Sequence, residues 1–192
     1  MKIRYPAAST MLSEARIYAQ ESYKHTMDYK GWDDQSIKLQ RLTYGTFGQL
    51  WVGEFCRLNS IQFKNDRSSP TVADTFDLTI CGKSFDIKTS INSSFIGQVS
   101  PGVIKKQIDY YGLLLTDYNC SFVEPRGFIS KSDYVSTAIE IKEGETIPGT
   151  NYVQRFSKSY FLHPQQRVTP FVQFLVNLRD SCRQKRQFAV AT

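Results

Sequence analysis

The stretch that most constrains this chain is Asp77-Leu-Thr-Ile-Cys-Gly-Lys-Ser-Phe-Asp86-Ile-Lys88. Gly82-Lys83 is placed as a two-residue hairpin turn with glycine first, the type II′ preference. That turn pairs Cys81 with Ser84, Thr79 with Asp86, and Asp77 with Lys88. Side chains alternate along a strand, so Leu78, Ile80, Phe85 and Ile87 take one face of the hairpin and Asp77, Asp86 and Lys88 the other. Two carboxylates and an ammonium within cross-strand reach can bind a divalent cation and hold a water beside it. The same pattern also serves as the wet face of an ordinary hairpin.

The flanking elements narrow the choice. Ser9 or Thr10 caps a helix running to about Lys24, and Asp33 or Asp34 caps a second one through Leu42. A further helix is expected from Thr46 to Asn59, with Phe47, Leu50, Trp51, Glu54 and Leu58 as one stripe. Glu54 falls near the centre of that stripe, where an ionised carboxylate is costly unless compensated. Such a glutamate snorkels out, meets an arginine, or serves as a metal-proximal acid. Ile61 to Lys64 reads as a strand and Asn65 to Thr71 as a loop.

After the hairpin, Phe95 to Val99 allows a short strand carrying Gln98, and Ser100-Pro101-Gly102 marks a turn before Lys105 and Lys106. Tyr111 to Thr116 is apolar on consecutive positions, as in a strand covered on both faces. Ser121 to Ile129 reads as the next strand, and Ser130 caps a short helix through Ile139. Tyr152 to Leu162 interleaves Arg155 and Lys158 with aromatic residues, which suits either base stacking or a half-buried strand. Pro170 opens a last helix with Phe171, Phe174, Leu175 and Leu178 inward. It ends in Arg179, Arg183, Lys185 and Arg186, a basic tail for a polyanion or a soluble terminus.

Composition sets the outer limits. At 41% hydrophobic and 14% aromatic residues the chain is not disordered, and 192 residues suffice for one cored domain. A net charge of +6 favours a polyanionic partner. The four cysteines lie far apart without a Cys-x-x-Cys pair, so they are expected as reduced, packed thiols. No apolar run is long enough to span a bilayer and Met1 to Pro6 lacks a signal peptide's apolar core. A cytoplasmic protein without membrane contact is expected.

Asp77 followed by Asp86-Ile87-Lys88 resembles the signature of the PD-(D/E)XK nuclease superfamily: an acid, a variable gap, then acid-any-lysine on the neighbouring strand. Phe76 stands where the superfamily has proline, and Asp74 competes for the first acid. The likeness covers about Gly45 to Tyr118. It implies an α/β restriction-endonuclease-like fold, a central mixed sheet flanked by helices. The domain plan is an N-terminal helical arm (1–44), a catalytic core (45–130) and C-terminal elements with the basic tail (131–192). It further implies that Asp77, Asp86, the Ile87 carbonyl and Glu54 hold Mg²⁺, with Mn²⁺ as substitute, and that Lys88 acts on the attacking water or the phosphate. Gly48 with Glu54 resembles the superfamily's helix-borne Gly-x-x-x-Glu. Gln107-Ile-Asp-Tyr-Tyr111 is similar to the Gln-x-x-x-Tyr element of a nuclease-helicase branch, with Gln98 an equal candidate.

The expected function is therefore Mg²⁺-dependent endonucleolytic hydrolysis of DNA, with a homodimer left open. Gln98, Lys105, Lys106, Gln107, Arg155, Lys158, Arg179, Arg183, Lys185 and Arg186 are the candidate nucleic-acid contacts. Two alternatives stand beside it: a non-catalytic nucleic-acid-binding protein with a degenerate nuclease fold, and a metal-independent domain whose hairpin acids are solvated surface.

Overall fold

The computed structural model describes residues 5–6, 9–25, 35–65, 77–91, 98–99, 107–147, 151, 153–154, 158–162 and 168–190. The predicted hairpin forms as β3 (Leu78–Ile80) and β4 (Lys83–Ser90). Its turn is Cys81-Gly82 rather than Gly82-Lys83, with φ of 50° and 77°. Positive φ at both central residues is the type I′ turn, whose twist suits two paired strands and whose second position takes glycine readily. Thr79 consequently pairs with Ser84, not with Asp86. A two-residue slip leaves every side chain on its predicted face, so hydrophobic patterning cannot tell the two registers apart. Turn geometry decides.

β2 (Phe63–Asn65) pairs antiparallel with β3 on one side. β5 (Tyr110–Leu115) lies parallel to β4 on the other. β6 (Phe122–Ser130) then runs antiparallel to β5, and the two-residue β1 (Tyr5–Pro6) closes that edge. The result is a six-stranded mixed sheet ordered β1-β6-β5-β4-β3-β2. Its flanking helices make the chain mixed α/β.

One face is packed by two helices. α2 (Gln35–Leu58) is a single helix where the sequence suggested two, since Thr43 to Gly45 continue the helical turn. The 44/45 boundary between arm and core thus falls inside an element, and α1 (Ser9–Tyr23) packs on α2 through Ala15 and Ala19. Phe47, Trp51, Val52 and Cys56 of α2 meet Leu78, Ile80, Phe85, Ile87 and Leu114 of the sheet. The helix can approach so closely because of Gly48, where a Cβ would lie 1.9 Å from Thr89 Oγ1. α4 (Phe171–Val190) joins the same face, stacking Phe171 on Phe128 at 4.8 Å and setting Phe174 against Tyr110. All four cysteines are free thiols, and burial pushes Cys56 up to about 12.

The opposite face carries a smaller core of Val99, Ile108, Tyr111, Leu113, Ile129 and Tyr134. α3 (Lys131–Thr137) supplies Tyr134; its N-cap, Ser130, accepts from the Asp133 amide as predicted. A second sheet of β7 (Ile139–Lys142) and β8 (Lys158–Phe161) is tied to Val99 through Tyr160. Among the described residues no helix is long and apolar enough to cross a membrane.

Candidate active site

Asp86 and Lys88 lie on the face of β4 turned away from α2. Asp86 pairs in register with Tyr111, and Lys88 with Leu113, both members of the smaller core. The Asp86 carboxylate is therefore buried, with 5% of the residue exposed. Lys88 Nζ lies 2.5 Å from Asp86 Oδ2. The contact is an ion pair without the alignment of a hydrogen bond, so Oδ2 keeps unused acceptor capacity. A buried charge is costly unless it is paired, and the Lys88 ammonium supplies that pairing. Lys88 remains a quarter exposed, which puts its ammonium within reach of an incoming anion.

Asp77 sits one residue before β3 and is also buried, at 8% exposure. Its amide donates to the Phe85 carbonyl, and its Oδ2 accepts the Ile87 amide at 2.5 Å. The register thus carries Asp77 to the level of Asp86 and Ile87 rather than opposite Lys88. The side chain does two things there: it satisfies a ladder amide beyond the end of β3, and it brings a second carboxylate beside Asp86. Asp74 lies outside the described residues.

Tyr111 completes this side of the sheet. Burial, and after it the Asp86 carboxylate, push its phenol well up from the usual value. Its hydroxyl is buried without a hydrogen-bond partner among the described residues, while its ring packs on Tyr134 at 4.8 Å. Tyr111 lies on strand β5, as its apolar run predicted and not on the helix that the Gln-x-x-x-Tyr likeness would need, and Gln107 is exposed, with its backbone carbonyl accepting from Ser84 Oγ. The run of apolar residues after Tyr110 settles this segment as strand.

Glu54 is not brought to the two aspartates. The buried face of α2 is centred on Phe47, Trp51, Val52 and Cys56, so Leu58 is exposed and Glu54 falls at its border. There Arg57 donates to both carboxylate oxygens, at 2.6 and 2.5 Å, and holds the acid below its usual range. Glu54 also lines a cavity of about 390 Å³ with Thr10, Met11, Gln49 and Phe63. Since α2 packs on the opposite sheet face, this is a different surface from that of Asp86 and Lys88. Among the described residues, no three histidine, cysteine or acidic side chains gather as a metal-holding group.

The remaining candidates divide. Gln98 Nε2 donates to Ser159 Oγ at 3.4 Å, within the second sheet. Arg179 bonds Asp180, and Arg183 is exposed on α4. Lys158 lies on β8, and Lys185 and Arg186 on α4. Lys105, Lys106 and Arg155 lie outside the described residues. Two residues escaped sequence reasoning: Glu124 and Arg126 on β6, which form an ion pair with the carboxylate only 3% exposed. The signal was present as Glu124-Pro125-Arg126-Gly127, since proline and glycine inside a strand mark a bulge.

No protein-family model, curated protein or solved structure matches the chain.

Proposed function

We propose that the chain is a Mg²⁺-dependent endonuclease acting on DNA, built on a restriction-endonuclease-like fold. One observation carries the reading: Asp77, just before β3, and Asp86-Ile87-Lys88 on the neighbouring β4 have both carboxylates buried, with Lys88 against Asp86. A helix, a strand, a hairpin and two further strands follow in the order the resemblance implies.

The residues fit a small hard cation. Asp86 Oδ2 is buried and ion-paired with Lys88 outside hydrogen-bond alignment, and oxygen donors from a few carboxylates are what Mg²⁺ prefers. Asp77, Asp86 and the Ile87 carbonyl would hold it. Mg²⁺ held there would supply positive charge for the phosphate and would lower the pKa of a water at the site. The chain does the rest. Asp86, fixed between Tyr111 and Lys88, orients the ammonium, and Lys88 presents it to a non-bridging phosphate oxygen or to the attacking water. The smaller core beside Tyr111 and Leu113 lowers the local dielectric, which strengthens each of these interactions.

A second reading rests on Glu54. With that acid held by Arg57 on the other sheet face, a non-catalytic nucleic-acid-binding protein of the same fold is the alternative. Supercoiled plasmid incubated with Mg²⁺ or with EDTA separates them. The nuclease nicks only with Mg²⁺, and Lys88→Ala slows nicking by about 10²–10³-fold, the usual loss for one transition-state donor. Near wild-type cutting by Lys88→Ala removes that lysine from the mechanism; no cutting by the wild type leaves the binding protein.

A further inference from the structure

We infer that Arg126 is a phosphate-contacting residue of the substrate groove, held in place by Glu124; the inference rests on the nuclease reading above for the identity of the polyanion as DNA. The sheet has one register break between β5 and β6. Leu113 pairs with Gly127 and Leu114 with Pro125, so Arg126 is the extra residue of a β-bulge. Gly127 takes a φ of 147° beside it, a conformation side chains rarely adopt. Bulges re-aim a side chain out of the pleat, and Arg126 is re-aimed.

Its direction follows from the register. Ser90, Leu115 and Glu124 form one row across β4, β5 and β6, and Lys88, Leu113 and Gly127 form the next. Glu124 therefore shares the sheet face of Asp86 and Lys88, and Arg126, whose Nη1 donates to Glu124 Oε1, is drawn to that face. Two strand spacings put the Gly127 backbone about 10 Å from that of Lys88. This is about three nucleotides of one strand at 3.4 Å of rise each.

The pair is built unlike a surface ion pair. Glu124 is 2% exposed, a costly place for a carboxylate, whereas the Arg126 side chain keeps 29% of its surface open. Nη1 is the guanidinium nitrogen with a protein partner among the described residues, so the outer edge of the fork keeps donors for an anion. A buried acid that orients a half-open arginine is a device for presenting a planar, fixed charge. Phosphate is the anion that matches such a fork.

The test is a titration of duplex DNA in EDTA, between 50 and 200 mM salt, with wild type, Arg126→Lys, Arg126→Gln and the double variant Glu124→Gln/Arg126→Gln. Plasmid nicking in Mg²⁺ is run in parallel. Arg126→Gln lowers the slope of log affinity against log salt by about one. Arg126→Lys keeps the slope, because it keeps the charge, yet nicks more slowly because it loses the fork. The double variant removes the buried Glu124 charge together with its Arg126 partner, so it reports the slope change should the single glutamine variant fail to fold. A folded variant without Arg126 but with an unchanged slope overturns the inference. A lowered slope in a protein that never nicks sustains the phosphate contact and removes the nuclease reading. An unchanged slope in a protein that nicks does the reverse.

Discussion

Asp77 carries two tasks on one side chain, and substitution can separate them. Its Oδ2 caps the Ile87 amide while its charge sits beside that of Asp86. Asparagine keeps an acceptor and removes one of two like charges held out of bulk water. Asp77→Asn is therefore expected to melt at or above the metal-free wild type. Alanine leaves the buried Ile87 amide without its bond, at a cost of about 1–3 kcal/mol. If the proposed ion binds, wild type is expected to gain melting temperature on adding Mg²⁺ or Mn²⁺ by mass action, and both variants to gain little. Thermal melts with and without metal check all three statements. If Asp77→Asn destabilises the metal-free protein and still keeps the full metal-induced gain, Asp77 and Asp86 do not share an ion. The sequence made Asp77 and Asp86 legible as a pair, because period-two alternation alone puts them on one face. It hid the amide cap, which depends on a turn one position away from the predicted one. Glu54 was misplaced for a related reason: a stripe drawn over one helix cannot show that the chain buries the neighbouring stripe through Val52 and Cys56.

At the scale of elements, the packing that fixes the sheet against its helix layer is α2 across β4. Gly48 has no room for a side chain: an ideal Cβ would stand 1.9 Å from Thr89 Oγ1 and 3.1 Å from Leu114 Cδ1. Gly48→Ala is expected to destabilise by about 1–3 kcal/mol, the usual range for overpacking, despite alanine's better helix propensity. Thr89 Oγ1 is itself buried without a partner, so Thr89→Ala is expected to be nearly neutral. Gly48→Ala/Thr89→Ala should recover most of the stability that Gly48→Ala removes. Urea denaturation of the four proteins measures the coupling, and additive effects would mean that the two sites do not touch. The helices and strands themselves were mostly readable, because long amphipathic periods and the unbroken apolar run of β5 survive any tertiary context. The continuity of α2 was not, since Thr43, Tyr44 and Gly45 are poor helix formers kept helical by packing of Tyr44 and Phe47. Nor was the parallel pairing of β4 with β5, which local sequence does not encode.

For the molecule as a whole, the proposed polyanion partner would meet basic residues in more than one place. α4 presses Phe171, Phe174 and Leu175 on the sheet and carries Arg179, Arg183, Lys185 and Arg186 beyond them. Truncation after Leu178 is expected to weaken DNA binding. Its salt slope should fall by about one for each phosphate that the shortened chain no longer neutralises, while Mg²⁺-dependent nicking persists at low salt. A slope identical to that of the full chain would show that this tail stays off the backbone. The parallel pair in the middle of the sheet has a kinetic consequence. The β3–β4 hairpin closes through two residues, so the Asp77 bond to Ile87 forms by a local event. Tyr111 reaches Asp86 only after the segment from Ile91 to Asp109 has closed its loop, an entropic cost incurred before any pairing offsets it. On this ordering the two acids are expected to meet before the pairing with β5 buries them. If a divalent ion is held between the two acids as proposed, it should relieve their repulsion as they are buried. Mg²⁺ is then expected to speed refolding more than it slows unfolding; stopped-flow refolding and unfolding with Mg²⁺ or EDTA measure this.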